Sequence, residues 1–224
     1  MIHCRKMKEP YSITGWSIVR KDRVVRNDKV ESGTENFINF ATFLKNLYKK
    51  EAVSYPKFYK MDNLSKLGFL ASELLFKENT FLDRYDKKDI GIVIMNSSSS
   101  LDTDLAYNET IKDKSNYFPS PSVFVYTLPN ILIGEICIRN KINGENAFLV
   151  SGQFEPERII DNVKLIMDKE RAQACICGWV EVLADRFEAL LFFVEKENRL
   201  KEQGMNDRSV PFAIEHLVNF YENK

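Results

Sequence analysis

The residue types that could do chemistry lie in one short turn, Val150-Ser151-Gly152-Gln153. An apolar stretch ending at Val150 precedes the turn, and a helical pattern from Glu155 to about Lys169 follows it. A buried strand, a tight turn and a helix in that order form a nucleophile elbow, which lifts one side chain above the sheet, here Gln153. Backbone N–H groups at a helix start carry partial positive charge and can stabilise an oxyanion. An amide is not a nucleophile, so the pattern predicts an active-site scaffold without its reactive group.

Ser151 is the other nucleophile that this turn offers. It does not fit the G-x-S-x-G pattern, because Leu149 and Gln153 stand where glycines are needed. Neither of the chain's two histidines can be assigned to it together with an acid. We therefore predict that Ser151 is not catalytic.

The four cysteines, Cys4, Cys137, Cys175 and Cys177, show neither a C-x-x-C redox pair nor a zinc spacing. Cys175 and Cys177 are two apart on a predicted strand, so they point to the same face. The sequence predicts buried, reduced thiols in a cytoplasmic protein, with no metal and no cofactor.

Composition excludes several other classes of function. The chain of 224 residues balances 32 basic against 32 acidic side chains, so it has no basic excess for binding nucleic acid. The longest uninterrupted apolar run, Ala189 to Val194, is far shorter than the roughly 18 residues of a membrane span. The N-terminus lacks an apolar signal core. We expect one domain over residues 1–224, with no membrane span.

Strand and helix patterns alternate along the chain, which predicts an α/β fold with a mixed, mostly buried sheet covered by helices. The run Ile90 to Met95 predicts a strand buried on both faces. Thr34 and Asp62 are predicted to cap helices. The further predicted strands and helices are strands at 11–19, 146–150, 172–177 and 188–195 and helices at 35–49, from 62, 101–112, 127–140 and 155–169.

Small residues and a serine run carry local predictions. Gly68 and Ala71 are expected to allow a close approach between helices, and close packing is also the expected reason for Gly134 inside a helix. The run Ser97 to Ser100 is interpreted as a flexible connection, with a ligand-binding turn at the end of a strand as the alternative.

Four segments in order resemble the N-terminal half of the β-ketoacyl synthases, which have the thiolase fold. The spacing agrees from about residue 58 to 195, over half of the chain. The segments are Lys60-Met61-Asp62-Asn63, then Ser120-Pro121 with Phe124, Thr127-Leu128-Pro129-Asn130 and Gly134, then Asn143-Gly144-Glu145-Asn146, and Ala172 to Glu181. The resemblance implies half of the duplicated thiolase fold.

The resemblance puts Gln153 at the position of the family's catalytic cysteine. The family's two catalytic histidines belong to a second half that has no counterpart here, and neither His3 nor His216 falls at their positions. A glutamine at this place is a feature of chain length factors, the partners of ketosynthases. Short ketosynthase-like proteins of this kind accompany aryl-polyene and flexirubin-type pigment systems, and this chain is similar to them.

The resemblance further implies a non-catalytic partner of a β-ketoacyl synthase, acting on acyl and malonyl groups held by an acyl carrier protein. The acyl-tunnel candidates are Gln153, Phe154 and Ser151, and Phe154 either plugs the tunnel or packs in the core. The residues expected to cross a homo- or heterodimer interface are Asn146, Ala147, Phe148, Leu149 and Val150. The alternatives are a malonyl-thioester decarboxylase or synthase that acts only with a partner, and a homodimeric acyl-binding module.

Overall fold

The computed structural model describes residues 10–33, 37–77, 80–202 and 209–222. The predicted cap Thr34 and the residues His3 and Cys4 lie outside the described residues.

The core of the protein is one mixed sheet. Its strands are β1 (Tyr11–Arg20), β2 (Arg23–Arg26), β3 (Lys29–Gly33), β4 (Ile90–Asn96), β5 (Asn146–Val150), β6 (Ala174–Leu183), β7 (Arg186–Lys196) and β8 (Val210–Pro211). The order is β3-β2-β1-β7-β6-β4-β5, with β8 paired to β1. β4 runs parallel to β5 and β6, whereas β7 is antiparallel to both β6 and β1. The predicted mixed sheet is confirmed.

Helices cover both faces of this sheet. They are α1 (Phe40–Lys50), α2 (Asn63–Phe76), α3 (Leu101–Glu109), α4 (Pro121–Phe124), α5 (Ile131–Asn140), α6 (Pro156–Asp168), α7 (Glu197–Glu202) and α8 (Ile214–Glu222). One apolar cluster joins α1, α2 and α5 to one face of the sheet, and a second joins α6 and α8 to the other face. The protein is therefore layered helix–sheet–helix, as the alternating pattern predicts.

Strand β4 shows why the sheet is buried on both sides. Successive side chains of a strand point to opposite faces. Ile92 and Ile94 belong to the first cluster, and Val93 and Met95 belong to the second. Cys175 and Cys177 of β6 share the second cluster, which confirms that the two thiols point to the same face.

Two helix starts depend on side-chain caps. Asp62 caps α2 as predicted, since its carboxylate accepts a hydrogen bond from the Ser65 backbone N–H. The predicted helix over 35–49 is wrong at its start. The helix begins at Phe40, where the side chain of Asn39 accepts from the Thr42 backbone N–H.

Two strand predictions are corrected. The strand before the elbow, 146–150, is not buried as predicted, because β5 pairs only with β4 and lies at the edge of the sheet, half-exposed. The strand predicted to end at Cys177 continues through Leu183 as β6. Gly178 permits this continuation: its φ is +154°, and a Cβ there would lie 1.9 Å from the Leu190 carbonyl oxygen.

The predictions for helical glycines have opposite outcomes. A Cβ on Gly68 would lie 2.3 Å from Cδ1 of Leu132, so the close approach of α2 to α5 is confirmed. A Cβ on Gly134 would have no atom within 4 Å, so close packing does not explain this glycine.

No single helix among the described residues is both long and apolar enough to cross a membrane. The helical segments 121–127 and 131–140 reach that threshold only when they are taken together, across a bend of 98°.

Candidate functional site

A cavity of about 500 Å³ lies at the carboxyl ends of β4, β5 and β6. In open α/β sheets this is the position where ligands bind. It is lined by Lys21, Ser97, Ser98, Gly152, Gln153, Phe154, Trp179, Glu181, Leu183, Asp185, Arg186, Phe187, Glu188 and Tyr221. The cavity therefore combines the elbow, the serine run and the end of β6 with the C-terminal helix.

The serine run after β4 is a fixed turn, and its interpretation as a flexible connection is wrong. The Asn96 side chain donates to the Ser99 carbonyl oxygen at 2.8 Å and accepts from the Ser99 N–H at 3.0 Å. Glu181 of β6 accepts from the Ser97 N–H at 2.7 Å and the Ser98 N–H at 3.2 Å. These bonds also explain how Ser99 is held at a φ of 51°.

The elbow itself runs from β5 into α6. Ser151 is 6% exposed, its N–H donates to the Asn96 carbonyl oxygen at 2.9 Å, and its hydroxyl donates to Glu155. Gln153 is exposed and lines the cavity, so the turn presents this amide as predicted. Ser151 is not among the cavity-lining residues, and its hydroxyl is bound to a carboxylate rather than to an imidazole.

Phe154 forms part of an aromatic wall. Its ring stacks on Tyr221 of α8, with ring centroids 4.3 Å apart, and meets Trp179 edge-on at 5.8 Å. Phe154 is half-buried and packs against the second core cluster, while it also lines the cavity. Phe154 therefore packs against the core and lines the cavity at the same time.

A charged network anchors that wall. Glu188 accepts from Trp179 Nε1 at 3.1 Å and from Arg20 Nε at 3.1 Å. The Arg20 guanidinium lies 5.5 Å from the centroid of the Tyr221 ring. Burial, followed by the nearby Glu188 carboxylate, raises the pKa of the Tyr221 hydroxyl, so Tyr221 is a neutral wall residue at physiological pH.

The cavity offers no activated sulfur among the described residues. Cys175 and Cys177 are fully buried, and burial raises the pKa of both thiols. Cys137 lies on α5 and His216 on α8, and neither lines the cavity. The described part of the chain also contains no cluster of three or more His, Cys, Asp or Glu residues that could hold a metal ion.

An exposed apolar surface adjoins the carboxyl end of β4. We call it the α3–α5 apolar surface, and its members are Leu101, Leu105, Tyr117, Phe118, Phe124, Val125 and Leu128, which are 42% to 78% exposed. Val150, at the end of the edge strand β5, is 48% exposed. Exposed apolar residues that form a patch mark interaction surfaces, so this segment is a candidate surface of that kind.

Sequence reasoning missed several residues of the site. Glu181 is the last residue of the ketosynthase-like segment Ala172 to Glu181, but nothing in the neighbouring sequence indicated that its side chain would bind the turn after β4. Tyr221 and Arg20 are far from the elbow in sequence, so only the topology brings them together. The sequence did contain an indication of the apolar surface. Phe118, Phe124 and Leu128 lie in a proline-containing segment, which cannot form a long buried helix.

Comparison with protein families gave no matching family model, and no curated protein matches the sequence. Solved structures do match. The ishigamide ketosynthase/chain length factor superimposes with a TM-score of 0.65 at 16% identity, covering 84% of this chain and 63% of its own. A type II ketosynthase, AntDE, in complex with the acyl-carrier protein AntF gives 0.67 at 13% identity, with 88% and 65% covered.

The ketosynthase ApeO in complex with its chain length factor ApeC from Xenorhabdus doucetiae gives a TM-score of 0.56 at 12% identity, covering 84% of this chain and 80% of that chain. This chain thus spans less than two thirds of the length of the first two matched structures. The sheet order, the elbow and these superpositions agree. The protein therefore has the thiolase-like fold of ketosynthases and chain length factors.

Proposed function

We propose that this protein is a non-catalytic, chain-length-factor-like partner of a β-ketoacyl-acyl-carrier-protein synthase, in fatty-acid or polyketide-type biosynthesis of the aryl-polyene kind. The observation that carries the proposal is the elbow at the carboxyl end of the sheet, which presents the Gln153 amide where acyl transfer needs a thiolate.

Two exposed features of the protein, an edge strand and an apolar surface, support the proposal of a partner chain. β5 is an edge strand, half-exposed along its length, and edge strands offer unpaired backbone groups to another chain. The α3–α5 apolar surface lies at the carboxyl end of the neighbouring strand β4.

Gln153 and Phe154 would line or close the acyl tunnel of the complex. The contacts of Phe154 with the Tyr221 and Trp179 rings support this role, because they favour one position of the Phe154 ring. The similar structures named above include ketosynthases paired with chain length factors and one with an acyl-carrier protein, which supports a synthase and a carrier protein as the partners here.

Co-expression with the cognate synthase tests the proposal. We expect a stable heterodimer on gel filtration and a higher condensing activity than that of the synthase alone. Failure of the two chains to associate would contradict the proposal, and self-association without the synthase would favour a homodimeric acyl-binding module.

A second assay separates a partner from an enzyme. The pure chain is incubated with malonyl-carrier protein, and mass spectrometry follows the acetyl product. We expect no turnover, because the described residues bring no imidazole to the cavity. Decarboxylation by the chain alone would replace the proposal with the decarboxylase alternative.

A further inference from the structure

Helix α3 carries two members of the apolar surface, Leu101 and Leu105, and two carboxylates hold the start of this helix and the turn that leads into it. The first is Glu181 on β6. Its Oε2 accepts three hydrogen bonds from the turn that leads into α3: from the Ser97 N–H at 2.7 Å, the Ser97 hydroxyl at 2.8 Å and the Ser98 N–H at 3.2 Å.

The second carboxylate is Asp102, in the first turn of α3. Its Oδ1 accepts from the Ala184 N–H at 3.0 Å, in the turn between β6 and β7. Its Oδ2 accepts from the Asn63 side chain at 2.9 Å, at the start of α2. The start of α3 is therefore attached to the β6–β7 hairpin from two directions and to α2 from a third.

The same turn is linked to the rest of the apolar surface. The buried Ser100 hydroxyl donates to the Thr127 carbonyl oxygen at 2.6 Å, and the Thr127 hydroxyl donates to the Phe124 carbonyl oxygen at 2.7 Å. Tyr107 of α3 contacts the Phe124 ring, with centroids 5.3 Å apart. A shift of α3 would thus carry the segment with Phe124 and Leu128.

We propose that Glu181 and Asp102 are positioning residues that hold α3, and with it the α3–α5 apolar surface, in the arrangement that the partner chain binds. The inference rests on the proposed function for the identity of the partner. Its physical basis is preorganisation: a surface that is already ordered loses less conformational entropy when it associates.

The hydrogen bonds to Glu181 determine how strongly each Glu181 variant should disturb the turn before α3. Among the described residues no cation forms an ion pair with Glu181, and the groups that donate to it are two amides and a hydroxyl, all neutral. A glutamine oxygen can accept from the same groups, although bonds to a charged acceptor are about twice as strong. Glu181→Gln therefore keeps the turn, and Glu181→Ala releases it.

The experiment measures two quantities for each variant: the dissociation constant for the cognate synthase, and hydrogen exchange of the Ser97 and Ser98 amides in the isolated chain. For Glu181→Ala we expect exchange at least about 10-fold faster and affinity about 10-fold weaker, since bonds to a charged group are lost. Asp102→Ala should weaken affinity similarly, and Glu181→Gln should stay within about 3-fold of the wild type in both measurements.

Glu73→Ala is the matched control, because it removes a carboxylate that binds Arg139 at 2.8 and 3.0 Å, between α2 and α5. Its affinity should match that of the wild type even where its stability falls. Equal weakening by Glu73→Ala and Glu181→Ala, or unchanged Ser97 and Ser98 exchange in Glu181→Ala, would overturn the inference. A wild-type chain that fails to bind the synthase overturns the proposed function, while amide exchange in the isolated chain still decides whether Glu181 anchors α3.

Discussion

At the scale of single residues, the site is defined by what surrounds Gln153. The amide stands at the start of α6, where backbone dipoles would favour an anion, yet the neighbouring hydroxyl of Ser151 is engaged by Glu155. Residue types alone predicted the Gln153 amide at the turn and the lack of a histidine partner for Ser151. The partners of Glu181 were not, because a glutamate's hydrogen bonds across a sheet leave no local pattern in sequence.

The thiols give the first prediction. Burial raises the pKa of Cys175 and Cys177, so neither forms a reactive thiolate at neutral pH. We expect iodoacetamide to leave both unmodified in the native protein at pH 7 to 9 and to modify both after unfolding in urea, as followed by peptide mass spectrometry. Native alkylation of either thiol near pH 8 would mean that a nucleophilic sulfur is accessible after all.

Phe154 gives the second prediction. Phe154→Ala removes a half-buried ring that contacts Tyr221 and Trp179, and should lower the free energy of unfolding by about 2 kcal/mol, less than a fully buried phenylalanine. Urea denaturation measures the loss. Leu165→Ala is the control, because Leu165 is 50% exposed on α6 and should change stability by under about 0.5 kcal/mol. If both variants lost the same free energy of unfolding, Phe154 would not be a packed member of the aromatic wall.

At the scale of elements, two glycines should respond oppositely to the same substitution. Gly178→Ala places a Cβ against the Leu190 carbonyl at a φ of +154° and should cost at least about 3 kcal/mol. Gly134→Ala fills open space in α5 and should gain up to about 1 kcal/mol from helix propensity. Thermal unfolding compares the two, and a tolerated Gly178→Ala would contradict the described path of β6.

The cap of α2 gives a prediction for pH dependence. Burial is the main cause that raises the pKa of Asp62 in the folded state, so folded Asp62 keeps a proton that the unfolded chain releases. Its contribution to stability is therefore full below the unfolded pKa of about 4 and is lost as pH rises through the folded pKa.

Asp62→Asn keeps a side-chain oxygen that can cap the helix and removes the titration. Relative to this variant, the wild type should lose stability as pH rises from about 4 toward neutral, measured by urea denaturation at several pH values. Parallel pH profiles for the two proteins would show that the buried carboxyl does not titrate as described.

Some strands and helices were predictable from sequence, whereas the exposure of β5 and the surroundings of Gly134 were not. Spacing identified α2 and α6 because each has an apolar period, with the Asp62 cap or Pro156 at its start, and β4 was identified by its continuous apolar run. β5 was predicted to be buried because an apolar run of four residues looks the same in a buried strand and in a half-exposed edge strand. Gly134 was misread for a related reason: sequence shows a glycine but not the space beside it.

At the scale of the whole molecule, one end of the sheet holds the cavity, and the adjoining surface is apolar. The layered α/β class followed from alternation, whereas the sheet order and the contact of α8 with the elbow required the structure. In the proposed function these two parts have separate roles: the cavity residues would shape a tunnel, and the surface residues would bind the partner.

The surface gives the last prediction. Leu105→Asp puts a charge into the α3–α5 apolar surface and should weaken binding of the synthase by at least about 100-fold, because a buried unpaired charge is costly. Leu165→Asp makes the same change at a similarly exposed leucine on α6, outside that surface, and should leave affinity within about 3-fold of the wild type.

The most direct measurement is analytical ultracentrifugation of the purified chain with its cognate synthase, as wild type, Leu105→Asp and Leu165→Asp, with condensing activity assayed on the same samples. The account predicts a one-to-one complex with raised activity for the wild type and Leu165→Asp, and separate species with unassisted activity for Leu105→Asp. A wild-type chain that sediments apart from the synthase, or that forms condensation product by itself, would contradict it.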